Sequence, residues 1–202
     1  KHPTQQPHFN EPDGSYHGAI WGTLVPEALS APIAYAIRAR VVLLRDLGAA
    51  LSPTNAFHLI QGLETLPLRF HKHQLNAAKL ADYLKKHKAV SSVTYPQLFT
   101  GTEKSLAEKY LTNGYGALIG IELRGGVDAG QKFIDHLKLI YHVANIGDAR
   151  TLAIHPASTT HSQLSAKDQI SAGVTPGYVR LSVGIEHIDD IIADIEQSLA
   201  SV

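Results

Sequence analysis

The stretch Tyr178-Val179-Arg180-Leu181-Ser182-Val183 decides the fold class. Val179, Leu181 and Val183 fall on one face of an extended strand, and Tyr178, Arg180 and Ser182 on the other. Shortly after it, Ile188, Ile191, Ile192, Ile195 and Leu199 recur at helical spacing. Glu186, Asp189 and Asp190 lie at the positive N-terminal end of that helix. A strand period passes into a helix period within about twenty residues.

The same alternation continues toward the N-terminus. Tyr178–Val183 is preceded by a helical turn over Ser165–Ala172 and by short strands at Leu152–Ile154 and His142–Ile146. Val127–Leu139 reads as a helix with Phe133, Ile134 and Leu137 inward. Ala117–Leu123 (ALIGIEL) reads as a buried strand stopped by Gly125-Gly126, and Val90–Tyr95 as a strand ending at Pro96. Further back, Leu59, Leu63, Leu66, Phe70, Ala77, Ala81 and Leu84 form one apolar face of a long helix. Lys72, Asn76, Lys79, Lys85 and Lys86 lie off that face. Ser52-Pro53 starts this helical region as N-cap and first-turn proline, and Pro67 kinks it or starts a second helix. Residues 26–47 read as helix, interrupted or restarted at Pro32 and ended by Gly48. Residues 1–24, rich in Pro and Gly, read as loop. Helices and strands alternate too often for an all-α or all-β fold. The fold class is α+β with a mostly antiparallel or mixed sheet, behind a helical lead-in.

The 202 residues suffice for one domain with a full core, or one domain and part of another. Charged residues make up 18%, below the roughly 25% of ordinary soluble chains, which points to surface buried against another domain or subunit. Lys+Arg and Asp+Glu are equal at 18 each, so the basic field that a nucleic-acid ligand needs is missing. The absence of cysteine excludes a disulfide scaffold, a thiolate zinc site and a cysteine nucleophile, and fits a cytoplasmic protein. No stretch approaches the ~20 apolar residues of a membrane helix. The chain opens on Lys1 and contains no methionine, so it is read as part of a longer protein.

Arg180 is the most informative residue. A cation in mid-strand needs an anionic partner, and its planar fork suits a carboxylate held through two parallel hydrogen bonds. Spacing alone leaves two readings: a ligand clamp, or a structural ion pair to a residue such as Glu122. His155-Pro156-Ala157-Ser158-Thr159-Thr160-His161 has the residues of a catalytic loop with Ser158 as nucleophile, but no Gly-x-Ser-x-Gly elbow surrounds it. The alternative is a loop whose hydroxyls satisfy backbone groups. The twelve histidines include no His-Glu-x-x-His, which argues against a metal site. Gly114-x-Gly116 precedes a strand instead of opening a helix, so it is not a nucleotide loop.

Three stretches together carry a resemblance. They are Ala50–Pro53 with Gln61-Gly62-Leu63-Glu64-Thr65-Leu66-Pro67-Leu68-Arg69; Asn145-Ile146-Gly147-Asp148-Ala149-Arg150-Thr151-Leu152 with His155–His161; and Tyr178–Glu186. They resemble the pyridoxal-phosphate enzymes of cysteine and methionine metabolism. Phe9-Asn10-Glu11-Pro12-Asp13-Gly14-Ser15-Tyr16-His17-Gly18 narrows the resemblance to the O-acetylhomoserine sulfhydrylase branch. The resemblance implies the aspartate-aminotransferase-like (fold type I) architecture. Residues 1–50 would be the end of the large cofactor domain, and residues 51–202 the C-terminal small domain with a long linking helix.

It also implies pyridoxal 5'-phosphate as cofactor and a cytoplasmic homo-oligomer, expected to be a tetramer. The implied reaction is replacement of the acetate of O-acetylhomoserine by sulfide or a small thiol, giving homocysteine or methionine. Arg180 matches the arginine that clamps the substrate α-carboxylate, and Asn145 a residue that helps to hold it. The family's cofactor lysine belongs to a Ser-x-Thr-Lys type motif in an N-terminal cofactor domain that the chain lacks. No lysine here matches it, so no catalytic residue is carried over and the chain alone is expected to be inactive. Cystathionine γ-synthase, a cystathionine lyase or methionine γ-lyase shares these features. A non-catalytic oligomerisation domain is the reading from another class.

Overall fold

The computed structural model describes residues 6–30 and 33–202, in two compact units, Lys1–Gln61 and Gly62–Val202. The first is helical: α1 (Pro7–Asn10), α2 (Trp21–Leu29), α3 (Ala34–Arg38) and α4 (Arg45–Leu47), with a π-helical turn over Ala39–Leu44. Helices α1 and α2 overturn the loop expected over residues 1–24, at residues 7–10 and 21–24. Gly22 is tolerated inside α2 because a Cβ there would come within 2.8 Å of the Phe9 carbonyl oxygen, so glycine permits the close approach of α1. The expected break at Pro32 lies outside the described residues. Gly48 ends α4 in the left-handed conformation, as anticipated.

Helix α5 (Pro53–Glu64) starts at Ser52, whose Oγ accepts the Asn55 N–H at 3.2 Å. Thr65 separates it from α6 (Leu66–Leu84), with Pro67 in the first turn of α6. The apolar stripe along these helices divides. Ala77, Ala81 and Leu84 are fully covered, whereas Leu63 is 62% exposed and Leu59, Leu66 and Phe70 are also exposed.

The second unit is built on a sheet of β1 (Val90–Thr94), β2 (Leu118–Leu123), β3 (Tyr141–His142), β4 (Leu152–Ile154) and β5 (Tyr178–Ser182), in the order β1-β2-β5-β4-β3. All pairs are antiparallel except β3 with β4. With α7 (Gly101–Tyr110), α8 (Gly126–His136), α9 (Ala166–Ser171) and α10 (Ile188–Leu199), this is the expected α+β class. Helix α7 escapes a reading by periodicity because only Ala107 of its ten residues is buried.

The core lies on one face of the sheet. Ile119, Ile121 and Leu123 of β2 and Val179 and Leu181 of β5 meet Leu80 and Leu84 of α6, Phe133 and Ile134 of α8, and Ile191 and Ile195 of α10. The alternation of β5 therefore turns Tyr178, Arg180 and Ser182 to the opposite face. Asp194 of α10 is buried and fixes the entry to β3, accepting the Lys138, Leu139 and Ile140 N–H groups at 2.9, 3.0 and 2.9 Å. Among the described residues, no helix is long and apolar enough to cross a membrane.

Candidate substrate-carboxylate site

Arg180 sits in a central strand, opposite Gly120 of β2 and Ile154 of β4. Its Nη2 donates to the main-chain oxygens of Ala144 at 2.6 Å and Asn145 at 3.3 Å. Its Nε is buried and has no hydrogen-bond partner. The ion pair considered with Glu122 is not made. Glu122 stands opposite Tyr178 in the register, and its carboxylate accepts from the Gly177 N–H at 3.0 Å and from the Thr175 hydroxyl. Among the described residues, no carboxylate is ion-paired with Arg180.

The structure thus brings the two residues picked out by the resemblance together, and the recorded contact is made by the main chain of Asn145. The loop that supplies it runs from β3 to β4 and is tied down at several points. Val143 N–H donates to the Ala153 carbonyl at 3.2 Å, and Ile185 N–H donates to the Ala149 carbonyl at 2.8 Å. Gly147 N–H donates to Ser182 Oγ at 3.0 Å. The Glu186 carboxylate accepts from Thr151 N–H at 2.6 Å and Thr151 Oγ1 at 2.8 Å. Gly147 has φ +81°, a conformation that favours glycine. Asp148 is held below the usual carboxylate range, first by the Arg150 backbone N–H and then by its guanidinium, so this negative charge is directed to Arg150.

Helix α6 supports the end of β5. His73 Nδ1–H donates to the Val183 carbonyl at 2.6 Å, and Asn76 Nδ2 donates to the carbonyls of Gly184 at 3.0 Å and Glu186 at 2.9 Å. Asn76, placed off the apolar face by its spacing, is 1% exposed. It is buried because these carbonyls need a donor. A histidine and an asparagine three residues apart on one helix were the available signal, but nothing in the spacing names their partners.

A cavity of about 530 Å³ adjoins the loop, with Leu66, Phe70, His73, Ile146, Gly147 and Ser182 in its wall. Tyr178 lies half-buried across Gly120, where a Cβ would come within 2.5 Å of its hydroxyl oxygen. Burial raises this phenol above its ordinary value; Arg180 opposes the rise and Glu122 adds to it. The group is a neutral donor near neutral pH.

His155 and Ser158 also come together, with the His155 ring against Gly130 of α8. His155 Nε2–H donates to the Pro176 carbonyl at 2.8 Å, which leaves Nδ1 to accept the Ser158 hydroxyl at 2.8 Å. Thr159 Oγ1 donates to the His155 carbonyl at 2.8 Å. His155 is fully buried. The hydroxyls of this loop are used to satisfy local polar groups.

Among the described lysines, Lys72 is half-buried, the others are exposed, and none lines the cavity. The residues present fit the amino-acid side of a site, since an unpartnered buried guanidinium nitrogen matches a carboxylate oxygen.

A profile of the family described as Cys/Met metabolism PLP-dependent enzyme matches residues 17–200. The chain is similar to an O-acetyl-L-homoserine sulfhydrylase from Leptospira meyeri, 52% identical over 199 residues, 96% of this chain and 45% of that protein. It is also similar to a homocysteine synthase from Schizosaccharomyces pombe, 49% identical over 193 residues, 96% of this chain and 44% of that protein. A solved structure described as an O-acetylhomoserine (thiol)-lyase from Campylobacter jejuni, carrying N'-pyridoxyl-lysine-5'-monophosphate, superposes with a TM-score of 0.83. It is 42% identical and is matched over 98% of this chain and 46% of that one. The chain spans less than half the length of these relatives.

Proposed function

The chain belongs to the Cys/Met metabolism PLP-dependent enzymes, and from that premise we propose that the complete protein is a pyridoxal-phosphate-dependent O-acetylhomoserine sulfhydrylase. It replaces the acetate of O-acetylhomoserine with sulfide or a small thiol, giving homocysteine or methionine. Residues 51–202 are its C-terminal domain and residues 1–50 the end of its cofactor domain. The names of the similar proteins support the branch.

The observation that carries the reading is the state of Arg180. Two carbonyls hold Nη2 while the buried Nε is left without a partner. A buried polar group without a hydrogen bond costs about 1–3 kcal/mol, which a ligand acceptor at Nε would recover. An amino-acid carboxylate bound by the fork satisfies Nε and fixes the orientation of the substrate. Asn145 closes the other side through the loop. When bound, pyridoxal phosphate supplies an electron sink for the amino acid. The residues of this chain contribute binding and orientation.

A homo-oligomer, a tetramer by the resemblance, and a cytoplasmic location belong to the same proposal. The exposed Phe57, Ile60 and Leu63 of α5 support an apolar surface that is covered in the complete protein. The test is an assay of the full-length enzyme for acetate release from O-acetylhomoserine with sulfide, beside ammonia release from methionine. Acetate release should dominate. Ammonia release alone would transfer the protein to the methionine γ-lyase branch, and inactivity on both would leave the non-catalytic reading standing.

A further inference from the structure

Resting on the carboxylate-site reading of Arg180, we propose that Ser182 is a positioning residue that holds the Ala144–Gly147 loop in the geometry Arg180 needs to receive the substrate carboxylate. Ser182 lies two residues beyond Arg180 on the same face of β5, about 7 Å along the strand. It is 2% exposed, and its Oγ accepts the Gly147 N–H at 3.0 Å. The same loop supplies the Ala144 and Asn145 carbonyls that hold Nη2. Strand and loop thus form a closed frame. Arg180 reaches from the strand to the loop, and the Gly147 amide reaches from the loop back to the strand.

The other ties of the loop lie outside the Ala144–Gly147 stretch, at Val143 and at Ala149–Thr151. Gly147 has φ +81°, so the loop carries its most permissive residue where the tie is made. Without the serine oxygen, the Gly147 amide loses its acceptor, and the two carbonyls are free to shift. The guanidinium then keeps its charge but loses the fixed plane that makes a fork selective. Ser182 acts through the frame and need not touch the substrate.

The test is made in the full-length holoenzyme with O-acetylhomoserine. Ser182→Ala should raise KM about five- to tenfold and leave kcat within twofold, the pattern of lost uniform binding. Ser182→Cys, with a weak acceptor at the same place, should lie between Ala and wild type. Arg180→Ala/Ser182→Ala should be no worse than Arg180→Ala, because one change acts through the other. If Ser182→Ala does not fold, Ser182→Cys and its double variant with Arg180→Ala carry the same comparison. Losses that multiply in the double variant, a fall in kcat with KM unchanged, or a KM within twofold of wild type overturn the role of Ser182 while Arg180 stands. A wild-type KM in Arg180→Ala alone overturns the carboxylate-site reading, and this inference with it.

Discussion

The two faces of β5 share one backbone and differ in what holds them. On the inner face, Val179 and Leu181 are wholly buried among aliphatic and aromatic side chains of β2, α6, α8 and α10. Their contacts are non-directional and complete. On the outer face, Tyr178 is held by one close approach, Ser182 by one hydrogen bond and Arg180 by two through Nη2, and Arg180 Nε is left unsatisfied. The inner face is a packing problem already solved within this unit. On the reading proposed above, the outer face is the one that receives a ligand. A mutation should therefore read out as stability on one face and as substrate binding on the other.

The largest expected effect lies on the inner face. Leu181→Ala should destabilise the full-length protein by about 2–5 kcal/mol, through lost burial and a cavity. Denaturant midpoints measure it. The KM of whatever fraction remains folded should be close to that of wild type. A selective rise in KM with unchanged stability would erase the distinction between the faces.

On the outer face, Arg180→Ala should lower kcat/KM for O-acetylhomoserine ten- to a hundredfold, from a charge-assisted contact worth about 1.5–3 kcal/mol. Arg180→Lys should restore part of it, because an ammonium keeps the charge and loses the fork. Stability should fall little, since the Ala144 and Asn145 carbonyls it releases belong to exposed loop residues and can turn to water. If kcat/KM stays within twofold of wild type in a folded protein, Arg180 is structural and the site is misassigned.

Asn76 joins the two faces, since it reaches from the core-packed helix α6 to carbonyls just past the end of β5. Asn76→Ala leaves two carbonyls without this donor and should cost about 1–3 kcal/mol of stability. Asn76→Asp should do no better, because a carboxylate cannot donate to a carbonyl. Recovery by Asp would mean that the fit of the side chain, and not its N–H groups, matters here.

The contrast also marks where the sequence was legible. Period two in Tyr178–Val183 and the stripe from Ile188 to Leu199 are consequences of burial on one side, so the inner face could be read directly. The stripe along α5 and α6 was legible as a face but not as a contact. Ala77, Ala81 and Leu84 are buried in the core, while Leu59, Leu63, Leu66 and Phe70 stay exposed. Periodicity reports that a surface is apolar, not what covers it. Arg180 stood out because a charge interrupts an apolar strand, and the resemblance supplied the role proposed for it. Ser182, Asn76 and His73 gave no such sign, because a polar residue tied to a backbone carbonyl or amide looks in sequence like a solvated one.

The smallest expected effect tests whether a polar group on the core side behaves like those on the outer face. Tyr95 is 1% exposed among the core side chains, and its hydroxyl donates to the Gly116 carbonyl at 3.0 Å. Tyr95→Phe should cost about 0.5–1.5 kcal/mol near neutral pH, the net worth of one hydrogen bond. The pH dependence gives a second check. Burial pushes this phenol up to about 12, with Tyr115 and Asp82 adding to the rise. In the unfolded chain it ionises near the ordinary tyrosine value of about 10. Between those values the unfolded state has lost the proton that the folded state keeps, so stability falls as pH rises. The contribution is whole below pH ~10 and is lost through pH ~12. Tyr83, also raised to about 12, titrates in the same window in both proteins and cancels in the difference. Urea midpoints of wild type and Tyr95→Phe should therefore converge between pH 10 and 12. Midpoints that stay parallel across that window would mean that the Tyr95 phenol ionises alike in folded and unfolded chains, and that this corner of the inner face is as open as the outer one.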